Sequence, residues 1–79
     1  MIKIIMFTGP GCAACKVMKP LVEQIDNAEI VDVTDQPELA MRYKIRGGLP
    51  VFIRLAHGEW EATHSGAMSA AALEEFAGD

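Results

Sequence analysis

The chain has 79 residues, 51% of them hydrophobic, with 11 acidic against 7 basic residues and a formal net charge of −4. That length and apolar content suit one small packed domain over residues 1–79 and exclude a disordered chain. The basic residues are scattered, which leaves no basic stripe for nucleic acid, and no apolar stretch approaches the ~20 residues of a bilayer span.

Ile2 to Phe7 is a short apolar run closed by "TGPG" and reads as a buried strand. The same run is too short for a signal peptide, so a cytoplasmic protein is expected. From Ala13 the period changes. Ala14, Met18, Leu21 and Ile25 fall at i, i+4, i+7 and i+11, one face of a helix that Pro20 should kink and that Asp26 and Asn27 should end. "EIVDV", residues 29–33, alternates as a second strand. "DQPE" then predicts a short helix, with Asp35 and Glu38 as a capping box, Pro37 in the first turn, and Leu39, Ala40 and Tyr43 facing inward.

Val51 to Leu55 and Glu59 to His64 read as a hairpin joined by the three-residue link "AHG". Trp60 and Ala62 should alternate on its second strand, and Met18 and Met41 should fill the core. The last helix is predicted over Ala70–Ala77, with Ser69 as N-cap, Met68 and Leu73 as a hydrophobic staple, and Gly78 as its stop. The order is β-α-β-α-β-β-α. It implies an α/β domain with a mixed four-stranded sheet, the first pair of strands parallel and the last pair antiparallel.

The only two cysteines, Cys12 and Cys15, stand where the first strand hands over to the first helix. Free N–H groups and the positive end of the helix dipole favour an anion there, which makes Cys12 the candidate nucleophilic thiolate. Cys15, one turn further in, should be more buried and act as the resolving thiol. A spacing of three puts the two sulfurs within reach of a disulfide. A zinc site would need two more ligands, and His57 and His64 are spaced outside the usual pattern. A pair of inert core cysteines is the other alternative, against which the exposed "GPG" loop speaks.

These residues carry a resemblance to the thioredoxin family over essentially the whole chain. Cys12 and Cys15 match the family's redox pair, followed by Lys16, and Pro20 matches its helix-kinking proline. "DQPELAMRYKIRGGLPVF" resembles the stretch that leads to the family's active-site proline, so Pro50 is expected to follow a cis bond, and Gly66 matches the glycine before the last helix. The resemblance implies the sheet order 4-3-1-2 with the third strand antiparallel. It implies that Gly11, Ala13, Leu49, Pro50 and Gly66 form a substrate ledge, with Lys16 and Pro20 in support. The chemistry it implies is dithiol–disulfide exchange on protein substrates such as ribonucleotide reductase, with electrons from a thioredoxin reductase. A monomer without cofactor, metal or membrane partner is expected.

The chain also departs from the family. Gly11 stands where thioredoxins have Trp, Met6 where a buried acid is often found, and Ala13–Ala14 between the cysteines. The pair Gly47–Gly48 makes its loop one residue longer. Activation of Cys12 then falls to the helix terminus and Lys16, which suits a reductant. The size resembles that of glutaredoxins, so glutathione is the alternative electron source, and a non-catalytic adaptor built on the same fold is a further alternative.

Overall fold

The computed structural model describes residues 1–46 and 48–78. The elements are β1 (Ile2–Thr8), α1 (Ala13–Val22), β2 (Ala28–Asp32), α2 (Pro37–Arg42), β3 (Val51–Ala56), β4 (Glu59–Ser65) and α3 (Ala70–Ala77). The sheet order is β2-β1-β3-β4. β1 runs parallel to β2, with Met6 opposite Ile30, while β3 is antiparallel to β1 and to β4. Order, element types and topology all match the sequence reading.

β1 is a central strand, so it is buried on both faces and reads as an unbroken apolar run. Ile4 and Met6 point to one side, where Met18 and Val22 of α1, Phe52 of β3 and Leu73 of α3 complete a core cluster. Ile5 and Phe7 point to the other, against Val31, Ala40 of α2, Val51 and Ile53. Among the described residues the fully buried side chains are all apolar or cysteine. This packing fixes α1 against one face of the sheet with its N-terminus at the C-terminal end of β1.

Several local details depart from the sequence reading. α1 ends at Val22 instead of running to Asp26. Pro20 has no N–H for the Lys16 carbonyl, and the chain leaves the helix through tighter turns, with the N–H groups of Gln24 and Ile25 donating to Leu21 and Val22. Ile25 still packs on the core, so the apolar stripe is as expected.

The predicted capping box does not form. The N-cap of α2 is Gln36, without a side-chain bond, and Pro37 opens the helix. Asp32 turns the chain instead. Its carboxylate accepts from the N–H and hydroxyl of Thr34, and its carbonyl accepts from Asp35 and Gln36. The Thr34 bonds hold the Asp32 carboxyl below its ordinary pKa. This stabilising contribution is therefore present above the ordinary carboxylate range and fades as pH falls through the lowered value.

The β3–β4 link has two residues, not three. His57 and Gly58 both take positive φ, 53° and 82°, the geometry that matches the twist of paired strands. Ala56 stays paired with Glu59. Between Arg54 and Leu55 the register slips, because Arg54 faces Ala62 and Leu55 faces Trp60. Glu61 is the extra residue of a bulge, which breaks the expected alternation of Trp60 with Ala62. Trp60 shares a face with Thr63, to whose hydroxyl its indole N–H donates at 2.9 Å. It remains 44% exposed and stands edge-on to Tyr43 at 5.3 Å. Met41 is not core: it is 76% exposed, on the side of α2 away from Ala40.

α3 begins and ends where expected. The Ser69 hydroxyl accepts from Ala72 N–H at 3.1 Å, and Met68 and Leu73 join the same core cluster. Ser69→Ala should cost about 1 kcal/mol, read as a lower urea midpoint with an unchanged slope. At the other end Gly78 is extended, and the last carbonyls are met by a partner from β3: the Arg54 guanidinium donates to the carbonyls of Phe76 and Gly78.

Candidate active site

β1 delivers the chain to a short loop, Gly9 to Cys12, from which α1 starts. Gly11 takes φ +75°, a left-handed turn that favours glycine, and a Cβ placed on it would meet open space. Cys12 is the N-cap of α1. Its backbone is extended, and its sulfur stands where a capping oxygen usually does, accepting the Cys15 N–H at 3.1 Å. Cys12 is half-buried, whereas Cys15, inside the first turn, is 4% exposed. The two are joined as a disulfide, with Cα atoms 5.3 Å apart.

An open cleft runs beside the disulfide. Its walls include Met6 of β1, Ile30 of β2, and Cys12, Cys15, Lys16 and Lys19. Gly11 also borders it, while Ala13 is exposed at the first helical position. Met6 lines this cleft at the position noted for a buried acid, so that wall of the cleft carries a thioether. Pro20 is exposed near the far end of α1 and takes no part in the cleft.

A second cluster of expected residues gathers at the start of β3. The Leu49–Pro50 bond is cis. Pro50 is buried, and its carbonyl accepts the Gly66 N–H at 2.8 Å, which ties the approach to β3 to the exit from β4. Leu49 bridges this cluster to the cysteine loop. Its Cδ1 lies 2.9 Å from where a Cβ on Gly9 would be, so only glycine fits there without a shift.

Gly9 was not singled out from the sequence, nor was Ser65, whose hydroxyl donates to the Gly48 carbonyl at 2.9 Å. Gly48 has φ +66°, and a Cβ on it would lie 2.6 Å from the Ser65 hydroxyl oxygen. Gly48→Ala should therefore lose that bond and add backbone strain, about 1–3 kcal/mol together, measured by urea unfolding. Gly47 lies outside the described residues, so the expected extra length of this loop is not seen directly.

The histidines lie apart from the sulfurs. His57 meets the Met1 amine at 3.1 Å, and His64 packs between the rings of Phe52 and Phe76. Among the described residues no three His, Cys, Asp or Glu side chains group to hold a metal. No described helix is long and apolar enough to cross a membrane.

Comparison with known proteins agrees with this geometry. The family model described as Thioredoxin matches residues 1–79. A thioredoxin-like protein derived from the SPbeta prophage of Bacillus subtilis is 33% identical over 75 residues, covering 94% of this chain and 92% of that protein. A thioredoxin of Acidithiobacillus ferridurans is 30% identical over 80 residues, 92% of this chain and 73% of its own. Among solved structures, a mutant thioredoxin from Halobacterium salinarum superposes with a TM-score of 0.87 at 27% identity, covering 96% of this chain and 71% of that one.

Proposed function

The chain belongs to the thioredoxin family, and from that premise we propose that it reduces protein disulfides through Cys12 and Cys15. Family membership and the bonded cysteine pair support a thiol–disulfide oxidoreductase in general. The finer assignment rests on one observation, the Cys12 sulfur at the N-cap of α1 with the Cys15 N–H directed at it.

In the reduced protein that N–H and the helix terminus favour thiolate over thiol at Cys12 and lower its pKa. Lys16, four residues on, adds positive charge on the same face. The half-buried Cys12 attacks one sulfur of a substrate disulfide, and the other sulfur leaves as a thiolate. Cys15 then attacks Cys12 and frees the substrate, which leaves the protein with the Cys12–Cys15 disulfide. Leu49 and Pro50 offer the edge along which an extended substrate segment lies, beside Gly11, Ala13 and Gly66.

We assign a thioredoxin reductase as electron donor. Residues 65–69, "SGAMS", carry no acid to pair with the amine of glutathione. On this reading residues 1–79 act as one monomeric domain in the cytoplasm, where thiols are kept reduced.

The test is insulin disulfide reduction with NADPH and thioredoxin reductase, in parallel with NADPH, glutathione and glutathione reductase. Turnover with the first alone is expected. Turnover only with glutathione would replace the donor, and turnover with neither would overturn the reading in favour of an adaptor.

A further inference from the structure

Cys15 has a harder task than Cys12. It is almost fully buried, and apolar surroundings disfavour a thiolate. Its own N–H is engaged by the Cys12 sulfur. Yet the resolving step needs Cys15 as the attacking thiolate.

The cleft that reaches Cys15 shows what can help it. β1 contributes Met6 and Thr8, β2 contributes Ile30, and the loop contributes Gly9, Pro10 and Gly11. None of these carries a charge. Among the described residues the charged side chains on the cleft are Lys16 and Lys19, both from α1 and both exposed. The ion pairs among the described residues use Lys3 and Arg54 and leave these two out.

The two lysines are not equivalent. Residues four apart on a helix lie one above the other, and helical side chains lean back toward the N-terminus. Lys16 is four residues past Cys12, and Lys19 is four residues past Cys15. Each lysine therefore covers the turn of one cysteine, and the turn of Cys15 is covered by Lys19.

We propose that Lys19 is the positioning residue of the resolving step, its ammonium stabilising the Cys15 thiolate across a cleft lined, among the described residues, by no carboxylate. The inference rests on the dithiol reading above. The Cys15 thiol gives its proton to water, and its thiolate donates an electron pair to Cys12 Sγ. The Cys12–Cys15 bond forms as the bond from Cys12 to the substrate sulfur breaks. That sulfur departs reduced, as a thiolate that takes a proton from solvent. Lys19 supplies charge and transfers no proton, so arginine can stand in for it.

Dithiodipyridine, an uncharged disulfide, separates the two steps. Attack by Cys12 on the reagent releases one thiopyridone, and attack by Cys15 on the resulting mixed disulfide releases the second. Stopped-flow traces across pH should show the second release in Lys19→Met slowed about two- to fivefold near neutrality at low salt. Its pH midpoint should move upward, and the gap to wild type should close at high salt. Lys19→Arg should restore the wild-type profile. A second release in Lys19→Met with the wild-type pH profile would overturn the proposal, as would failure of Lys19→Arg to rescue. A wild-type protein that releases only one thiopyridone would instead overturn the dithiol reading itself.

Discussion

Cys12→Ser is expected to bring insulin reduction down to the uncatalysed rate, and Cys15→Ser to do the same for a different reason. The first variant has no nucleophile on the exposed side of the helix terminus. The second keeps it but cannot release its product. Cys15→Ser should therefore accumulate as a mixed disulfide with the substrate, visible as a shifted band on a non-reducing gel, while Cys12→Ser forms none. The asymmetry follows from burial: Cys12 is half-buried at the cap, and Cys15 is enclosed in the first turn. Equal trapping by both variants would contradict the division of roles. Because the Cys12 sulfur also caps α1, both variants should be checked for an unchanged helical spectrum; serine can itself cap.

Phe52→Ala should have the largest effect on stability. Phe52 is 0% exposed and sits in the cluster formed by Ile4, Met6, Met18, Val22 and Leu73. Truncating a phenylalanine so enclosed costs about 3–5 kcal/mol. A chain of this length has roughly 4–12 kcal/mol in all, at the usual contribution per residue. The variant should be marginally folded or unfolded at room temperature, read by urea titration of the oxidised protein. Met41→Ala, on the exposed side of α2, should stay within about 0.5 kcal/mol of wild type. A comparable loss at both positions would contradict the placement of the core.

The course of the chain was legible because its apolar runs change period cleanly. Ile2 to Phe7 has the continuous pattern of a central strand, and Met18, Leu21 and Ile25 have the spacing of a helix face. The cysteine pair was legible because its place between strand and helix carries a physical meaning on its own. The cis bond before Pro50 was readable only through the family resemblance, since an isolated X-Pro bond is far more often trans.

What escaped the sequence reading was in part a choice between competing local turns and in part tertiary. Asp32 and Asp35 are both plausible turn makers, and residue types alone do not rank the Asp32–Thr34 turn above a cap from Asp35. Glu61 gives no sign of being a bulge until β4 is paired with β3. Arg54 looks like a solvated strand residue, yet it closes α3 from 22 residues upstream of Phe76. Gly9 and Ser65 matter through Leu49 and Gly48, partners that only the fold brings near. Lys19 did leave a signal, its spacing of four from Cys15, but the spacing gains meaning only beside a cleft whose described lining carries no carboxylate.

The most direct test of the account is alkylation of the fully reduced wild-type protein with iodoacetamide near neutral pH, followed by peptide mass mapping over time. Cys12 should be modified first, at a rate that persists below the pH where an ordinary thiol stops reacting, while Cys15 stays protected until the protein is unfolded. Modification of Cys15 as fast as Cys12, or a Cys12 no more reactive than a free thiol, would contradict the assignment of Cys12 as the helix-stabilised nucleophile.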